Sequence, residues 1–100
     1  MEIKRNDDLA VIYPGGRIDI TNSGDLKENL LELYNEGFKN IDVNFEKVDG
    51  IDSSGLGKIL LFQKKLKERG GRLKVTNIKN ENVKNMFTLI HLDKVIEMDV

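Results

Sequence analysis

The sequence predicts an α/β domain built on a mixed β-sheet, an initial antiparallel hairpin followed by parallel strands, with helices mainly on one face. Three observations predict it. Short stretches alternate apolar and polar residues at period two, as in Leu9/Val11/Tyr13 and Ile41/Val43/Phe45. Longer stretches between them carry apolar residues at helical spacing, as in Leu26/Leu30/Leu33. Glycines and the single proline, Pro14, fall at the joins. The resulting order, β-β-α-β-α-β-α-β, requires helical crossovers between parallel strands. At 100 residues the chain has room for one core, so 1–100 is read as a single domain.

Each element follows from its residues. Ile3 belongs to a short first strand, and Asn6-Asp7-Asp8 is a turn. The strand through Leu9, Val11 and Tyr13 ends at Pro14 and Gly15-Gly16, because proline offers no ladder donor. Asn22 is the expected N-cap of the first helix, with Asp25 near its positive end, and Gly37 is its stop. Residues 40–45 form a strand, and 46–52 are read as a loop whose Val48 and Ile51 tuck inward. The longest helix runs from Ser54 to Arg69 and ends at Gly70-Gly71. Leu73 and Val75 mark another strand. Asn80 caps a third helix with Val83, Met86, Phe87 and Ile90 on one face, and Val95, Ile96 and Met98 make a short last strand. Because Asp42 and Asn44 alternate with apolar neighbours, one face of their strand is expected to be wet, and a monomer is expected.

Composition narrows the function. Hydrophobic residues are 39% and charged residues 33% of the chain, an ordinary globular balance. No apolar run approaches the ~20 residues of a membrane-spanning helix, and the N-terminal Met1-Glu2-Ile3-Lys4-Arg5 does not read as a signal peptide. The expected location is therefore the cytoplasm, without membrane association. There is no cysteine and one histidine, His91, which excludes thiolate and multi-histidine metal sites. Residues 1–50 carry 6 basic and 11 acidic side chains, and residues 51–100 carry 10 and 6. The basic cluster Lys58, Lys64, Lys65, Lys67, Arg69, Arg72 and Lys74 has only Phe62 for stacking, so it reads as a solvated helix face and not as a nucleic-acid site.

The segment Asp52-Ser53-Ser54-Gly55-Leu56-Gly57 joins a strand and its loop to the long helix. Two readings fit it. A hydroxyl can cap the helix start while glycines tighten the turn, or the exposed N–H groups can receive a phosphate. Enzymatic readings fail on spacing. Gly57-Lys58 is followed by Ile59, which breaks a phosphate-binding loop, and Ile51 stands where a serine-nucleophile elbow needs glycine. His91, near the end of the third helix, reads as a helix-end residue. No catalytic residue, metal ligand or cofactor site is expected, so the chain is not read as an enzyme.

Four stretches carry a family resemblance. They are Gly16-Arg17-Ile18-Asp19, Val48 to Gly57, Gly70-Gly71-Arg72-Leu73-Lys74-Val75, and Met86-Phe87 with Leu92-Asp93-Lys94-Val95-Ile96. In this order they resemble a STAS domain, specifically a bacterial anti-sigma factor antagonist (anti-anti-sigma factor). The resemblance implies partner switching. The domain would bind an anti-sigma factor that is also a GHKL-type serine kinase, thereby freeing a sigma factor. Phosphorylation of Ser53 would end that complex, and a PP2C-type phosphatase would restore it. Asp19 and Asp52 match family aspartates at this loop, and Ser54, Gly55, Leu56 and Gly57 complete the implied partner surface. Leu61, nearly opposite the Leu56/Ile59/Gln63/Leu66 side of its helix, is read either as a partner contact or as an exposed or locally packed leucine. Departures from the pattern are Pro14, Ile90-His91 in place of a small residue and glycine, and no residues for the additional C-terminal helix of many relatives. The same fold also serves as an accessory subunit of lipid-transport ABC systems and in stressosome scaffolds, and these are the alternative roles.

Overall fold

A computed structural model describes residues 1–99. Strands β1 (Glu2–Asn6) and β2 (Leu9–Tyr13) form the antiparallel hairpin. Asp7 in its turn takes φ 53°, a left-handed conformation that a short polar side chain tolerates. Pro14 then ends β2, and the chain passes into a strand the sequence reading did not predict, β3 (Gly15–Ile18). Helix α1 (Ser23–Asn35) leads to β4 (Asn40–Asn44) and β5 (Lys47–Ile51), and α2 (Ser53–Glu68) to β6 (Arg72–Thr76). Helix α3 (Glu81–Leu89) and a 3-10 turn, Leu92–Lys94, precede β7 (Glu97–Asp99).

The main sheet has the order β1-β2-β4-β6-β7, antiparallel at the first pair and parallel thereafter. This is the predicted mixed sheet. Strands β3 and β5 form a separate two-stranded parallel sheet. Residues 46–52 are thus a turn and a strand and not a loop, although Val48 and Ile51 are buried as expected. A lone short strand without clear alternation gives no local signal, and its ladder exists only because a distant segment pairs with it.

Leu26, Leu30 and Leu33 of α1 are fully buried, as are Ile59, Phe62 and Leu66 of α2. Each such side chain contributes about 1.5–3 kcal/mol of transfer free energy. Tyr34 of α1 meets Phe62 of α2 edge-on with centroids 6.4 Å apart. Beneath the helices, Ala10, Ile12, Ile41, Val43, Leu73 and Val75 make one core with them. In β2 this inverts the expected face, because Leu9, Val11 and Tyr13 are only half-buried while Ala10 and Ile12 pack inward. The apolar run fits either phase locally, and packing selects the phase. In α3, Val83 and Phe87 are buried, with Phe87 5.7 Å from Phe45, but Ile90 is exposed. Val95 is likewise exposed and lies before β7, not within it.

Helix α2 closes with Gly70 at φ +83° and the Gly71 N–H donating to the Leu66 carbonyl at 2.8 Å. A Cβ on Gly71 would stand 1.8 Å from the Lys39 carbonyl oxygen, so glycine is required for this approach to β4.

The opposite face of the sheet is open. Register aligns Val11, Asp42, Lys74 and Glu97 across four strands. Arg72 bonds Glu97 at 3.1 Å and stands 4.0 Å from Asp42. Lys4 lies over the Tyr13 ring at 5.3 Å. The expected wet face is present, with Asn44 as its buried exception, its side chain accepting from the Glu46 N–H.

Candidate functional site

The small β3–β5 sheet positions the site. Ile18 and Ile51 are register partners at its end, so Asp19 and Asp52 leave the two strands side by side. The Asp52 N–H donates to the Ile18 carbonyl at 3.0 Å, which ties the two exits together. From there one chain enters α1 through Ile20-Thr21-Asn22, and the other enters α2 directly.

Each aspartate folds back on its own segment in the same way. The Asp52 Oδ1 accepts from the Ser54 N–H at 2.9 Å, the Ser54 hydroxyl at 2.5 Å and the Gly55 N–H at 3.2 Å. The Asp19 Oδ1 accepts from the Thr21 N–H at 2.9 Å and the Thr21 hydroxyl at 2.5 Å. These donors hold both carboxyls below the ordinary aspartate value. For Asp52 the Ser54 hydroxyl is the foremost cause, with the N–H groups of Gly55, Ser54 and Ile20 adding to it. For Asp19 the Thr21 hydroxyl leads, followed by the Thr21 N–H. Two ionised carboxylates therefore flank the start of α2.

This settles what caps α2. The N-cap is the Asp52 carboxylate, not a serine hydroxyl, and the helix begins at Ser53, one residue earlier than its spacing predicts. The N–H groups of Ser54 and Gly55, which could have received a free phosphate, are already occupied. At α1 the cap residue is Asn22 as expected, but its side chain accepts from the Asp19 N–H and donates to the Arg17 carbonyl instead of capping the helix.

The two serines differ. The Ser54 side chain is half-buried and bonded to Asp52, whereas Ser53 is exposed and its hydroxyl makes no hydrogen bond among the described residues. Gly55 and Leu56 are buried and offer a partner no side-chain surface. A Cβ on Gly55 would meet Ile18 Cγ2 at 2.7 Å and Ile51 Cγ1 at 2.9 Å, so this glycine lets α2 sit on the strand ends. Gly57 is exposed, with nothing within 4 Å of an added Cβ.

Leu61 is 39% exposed and lies on α2 together with the equally exposed Leu60. With Gly57, Gln63, Lys64, Lys67 and Val95 they line an open apolar groove of about 460 Å³. Gln63 anchors its floor, accepting from the Leu73 N–H at 2.9 Å and donating to the Val95 carbonyl at 3.2 Å. Leu60 is the chain neighbour of Leu61 on α2, whereas Val95 joins them only through the packing of the chain after α3. His91 is exposed and takes φ 61°, a left-handed conformation, at the end of α3.

Among the described residues no group of His, Cys, Asp or Glu is arranged to hold a metal, and no helix is long and apolar enough to cross a membrane.

A two-stranded parallel appendage places paired aspartates and an exposed serine at a helix start, beside a mixed five-stranded sheet, the arrangement of a small regulatory binding domain. The STAS domain model matches residues 1–100, and the chain belongs to that family. The chain is 28% identical over 98 residues to the anti-sigma-B factor antagonist of Bacillus subtilis, covering 98% of this chain and 88% of that protein. It superposes on a candidate anti-sigma factor antagonist from Thermotoga maritima with a TM-score of 0.92 and 26% identity, covering 99% and 85% of the two chains. Bacillus SpoIIAA in its unphosphorylated form shares the fold at a TM-score of 0.76 and 20% identity, over 99% and 86% of the chains. SpoIIAA has also been solved in a phosphorylated form.

Proposed function

We propose that this domain is an anti-sigma factor antagonist acting in the cytoplasm. In its unphosphorylated form it binds an anti-sigma factor that is also a GHKL-type serine kinase, so that a sigma factor is released. Phosphorylation of Ser53 ends the complex, and a PP2C-type phosphatase restores the binding form. The observation that carries this reading is the contrast between the serines: Ser53 is exposed and unbonded, while Ser54 is tied to Asp52. Kinship with the Bacillus subtilis antagonist supports it over an accessory or scaffold role.

The geometry supports release by charge rather than by refolding. A phosphate on Ser53 adds about −1.5 to −2 charges. It would stand beside the Asp52 carboxylate, which already occupies the N–H groups of Ser54 and Gly55. The favourable helix-end interaction is thus largely used, and repulsion from Asp52 and Asp19 remains. In a complex the dianion must also be desolvated against a surface fitted to a hydroxyl, which costs several kcal/mol, and each ~1.4 kcal/mol is tenfold in affinity.

The test mixes the purified protein with each GHKL-type kinase of its genome and ATP, and locates the added phosphate by mass spectrometry. Ser53→Ala should bind the kinase and resist modification. Ser53→Asp should fold normally and bind about 100-fold more weakly. Modification of Ser54 alone, or wild-type binding by Ser53→Asp, would sink the assignment.

A further inference from the structure

The segment between β3 and α1 spends its polar groups on itself. The Asn22 side chain accepts from the Asp19 N–H at 2.8 Å and donates to the Arg17 carbonyl at 2.7 Å. The Asp19 carbonyl accepts from the N–H groups of Asn22 and Ser23 at 3.1 and 2.8 Å. The Asp19 carboxylate holds Thr21 twice, through its N–H at 2.9 Å and its hydroxyl at 2.5 Å. What this internally hydrogen-bonded loop holds out in water is the Ile20 side chain, which at 79% is the most exposed large hydrophobic side chain among the described residues.

Its place is as informative as its exposure. Ile18-Asp19-Ile20-Thr21 and Ile51-Asp52-Ser53-Ser54 leave paired strands in register, each with an Asp bonded to the hydroxyl two residues on. Ile20 therefore occupies in one segment the position that Ser53 occupies in the other. Ser53 follows Asp52 directly, and Ile20 follows Asp19, whose strand exit is tied to that of Asp52 by the Asp52 N–H donating to the Ile18 carbonyl at 3.0 Å. An exposed apolar side chain on a mobile loop gains little on binding, because ordering the loop offsets its burial. Here the loop is already ordered, and the gain from burial is kept.

We propose that Ile20 is the apolar anchor of the partner surface beside Ser53, and that the anti-sigma factor kinase receives it in an apolar socket rimmed by Arg or Lys facing Asp19 and Asp52. The inference rests on the partner-switching reading. It explains how a hydroxyl and two carboxylates, which are well hydrated when free, could mark a tight interface: the apolar contact supplies affinity, and the charges supply register.

The experiment measures affinity for the GHKL-type kinase that binds the wild-type protein, together with thermal stability. Ile20→Ala should weaken binding about tenfold and Ile20→Glu about 100-fold, with Tm unchanged for both because the side chain supports no core. Leu89→Ala serves as the control, since Leu89 is 76% exposed at the end of α3 and is no part of the proposed contact. It should leave binding unchanged. Binding of Ile20→Ala within twofold of wild type, while Ser53→Asp still fails, overturns the anchor and leaves the switch standing. An equal loss from Leu89→Ala also overturns it. If no kinase of this class binds the wild-type protein, the partner-switching reading fails and the anchor with it.

Discussion

Asp52 and Asp42 are the same side chain in two regions with opposite electrostatics. Asp52 ends β5 at the β3–β5 appendage, where a hydroxyl and backbone N–H groups converge on its carboxylate and lower its pKa. Asp42 sits mid-strand on the open face of the main sheet. Its Oδ1 is buried and has no hydrogen-bond partner among the described residues. Burial raises its pKa, outweighing the attraction of Arg72 and Lys74. A strand end can supply free N–H groups to a carboxylate, because the ladder has stopped there. A central strand cannot, because its N–H groups are committed to neighbouring strands. The lesson is that, among the described residues, this fold stabilises a carboxylate with converging donors where the strands of the β3–β5 appendage end, at Asp19 and Asp52.

The strongest way to break the contrast is to unseat α2 from the strand ends. Gly55→Ala drives a methyl into Ile18 and Ile51, the residues that aim Asp19 and Asp52. Overpacking of this kind costs about 1–3 kcal/mol. Denaturant unfolding should show that loss, and amide exchange should quicken at Ser54 and Gly55. An unchanged midpoint would mean that the Ile side chains yield freely and that the glycine is not needed for seating.

Asp52→Ala removes the cap and should lower Tm by a few degrees at neutral pH. The sign with pH follows from the lowered pKa. The stability Asp52 supplies is complete above its ordinary value of 3.8 and is lost as pH falls through its lower folded value. Melting curves of wild type and variant should therefore run parallel at neutral pH and converge in acid. A gap that persists in acid would assign the effect to lost packing.

Asp42→Asn should act in the other direction and be the smallest of the three. Because burial raises the Asp42 pKa, its charged form opposes folding at neutral pH, and that penalty fades as pH falls through the raised value towards 3.8. The variant should melt about a degree higher at pH 7 and equal to wild type in acid. A lower Tm at pH 7 would show that the ion pairing with Arg72 outweighs desolvation.

The comparison also separates what could be read from residues from what could not. The hairpin, the three helices and the strands at 40–44 and 72–76 were legible because each is announced by its own periodicity and its own stop, such as Gly37 or Gly70-Gly71. The loop of Asp52 to Gly57 was legible as a motif, and as a helix start, because a carboxylate, two hydroxyls and glycines at that spacing have few other uses.

Tertiary structure decided the rest. Gly15–Ile18 and Lys47–Ile51 become strands only by pairing with each other, and Leu9/Val11/Tyr13 lost the inward face to Ala10/Ile12 because both phases were apolar. Residue chemistry alone does not separate the Ser53 and Ser54 hydroxyls, and only the family resemblance singled out Ser53; the direction of the Asp52 carboxylate then binds Ser54 and leaves Ser53 free of hydrogen bonds among the described residues. No local periodicity singles out Ile20; the pairing of Ile18 with Ile51 places it in the segment alongside that of Ser53, and it is exposed. Periodicity is a property of neighbours along the chain, so it specifies elements. Which hydroxyl is free, and which apolar side chain is left in water, depend on contacts between segments far apart in sequence, and those exist only once the chain has folded.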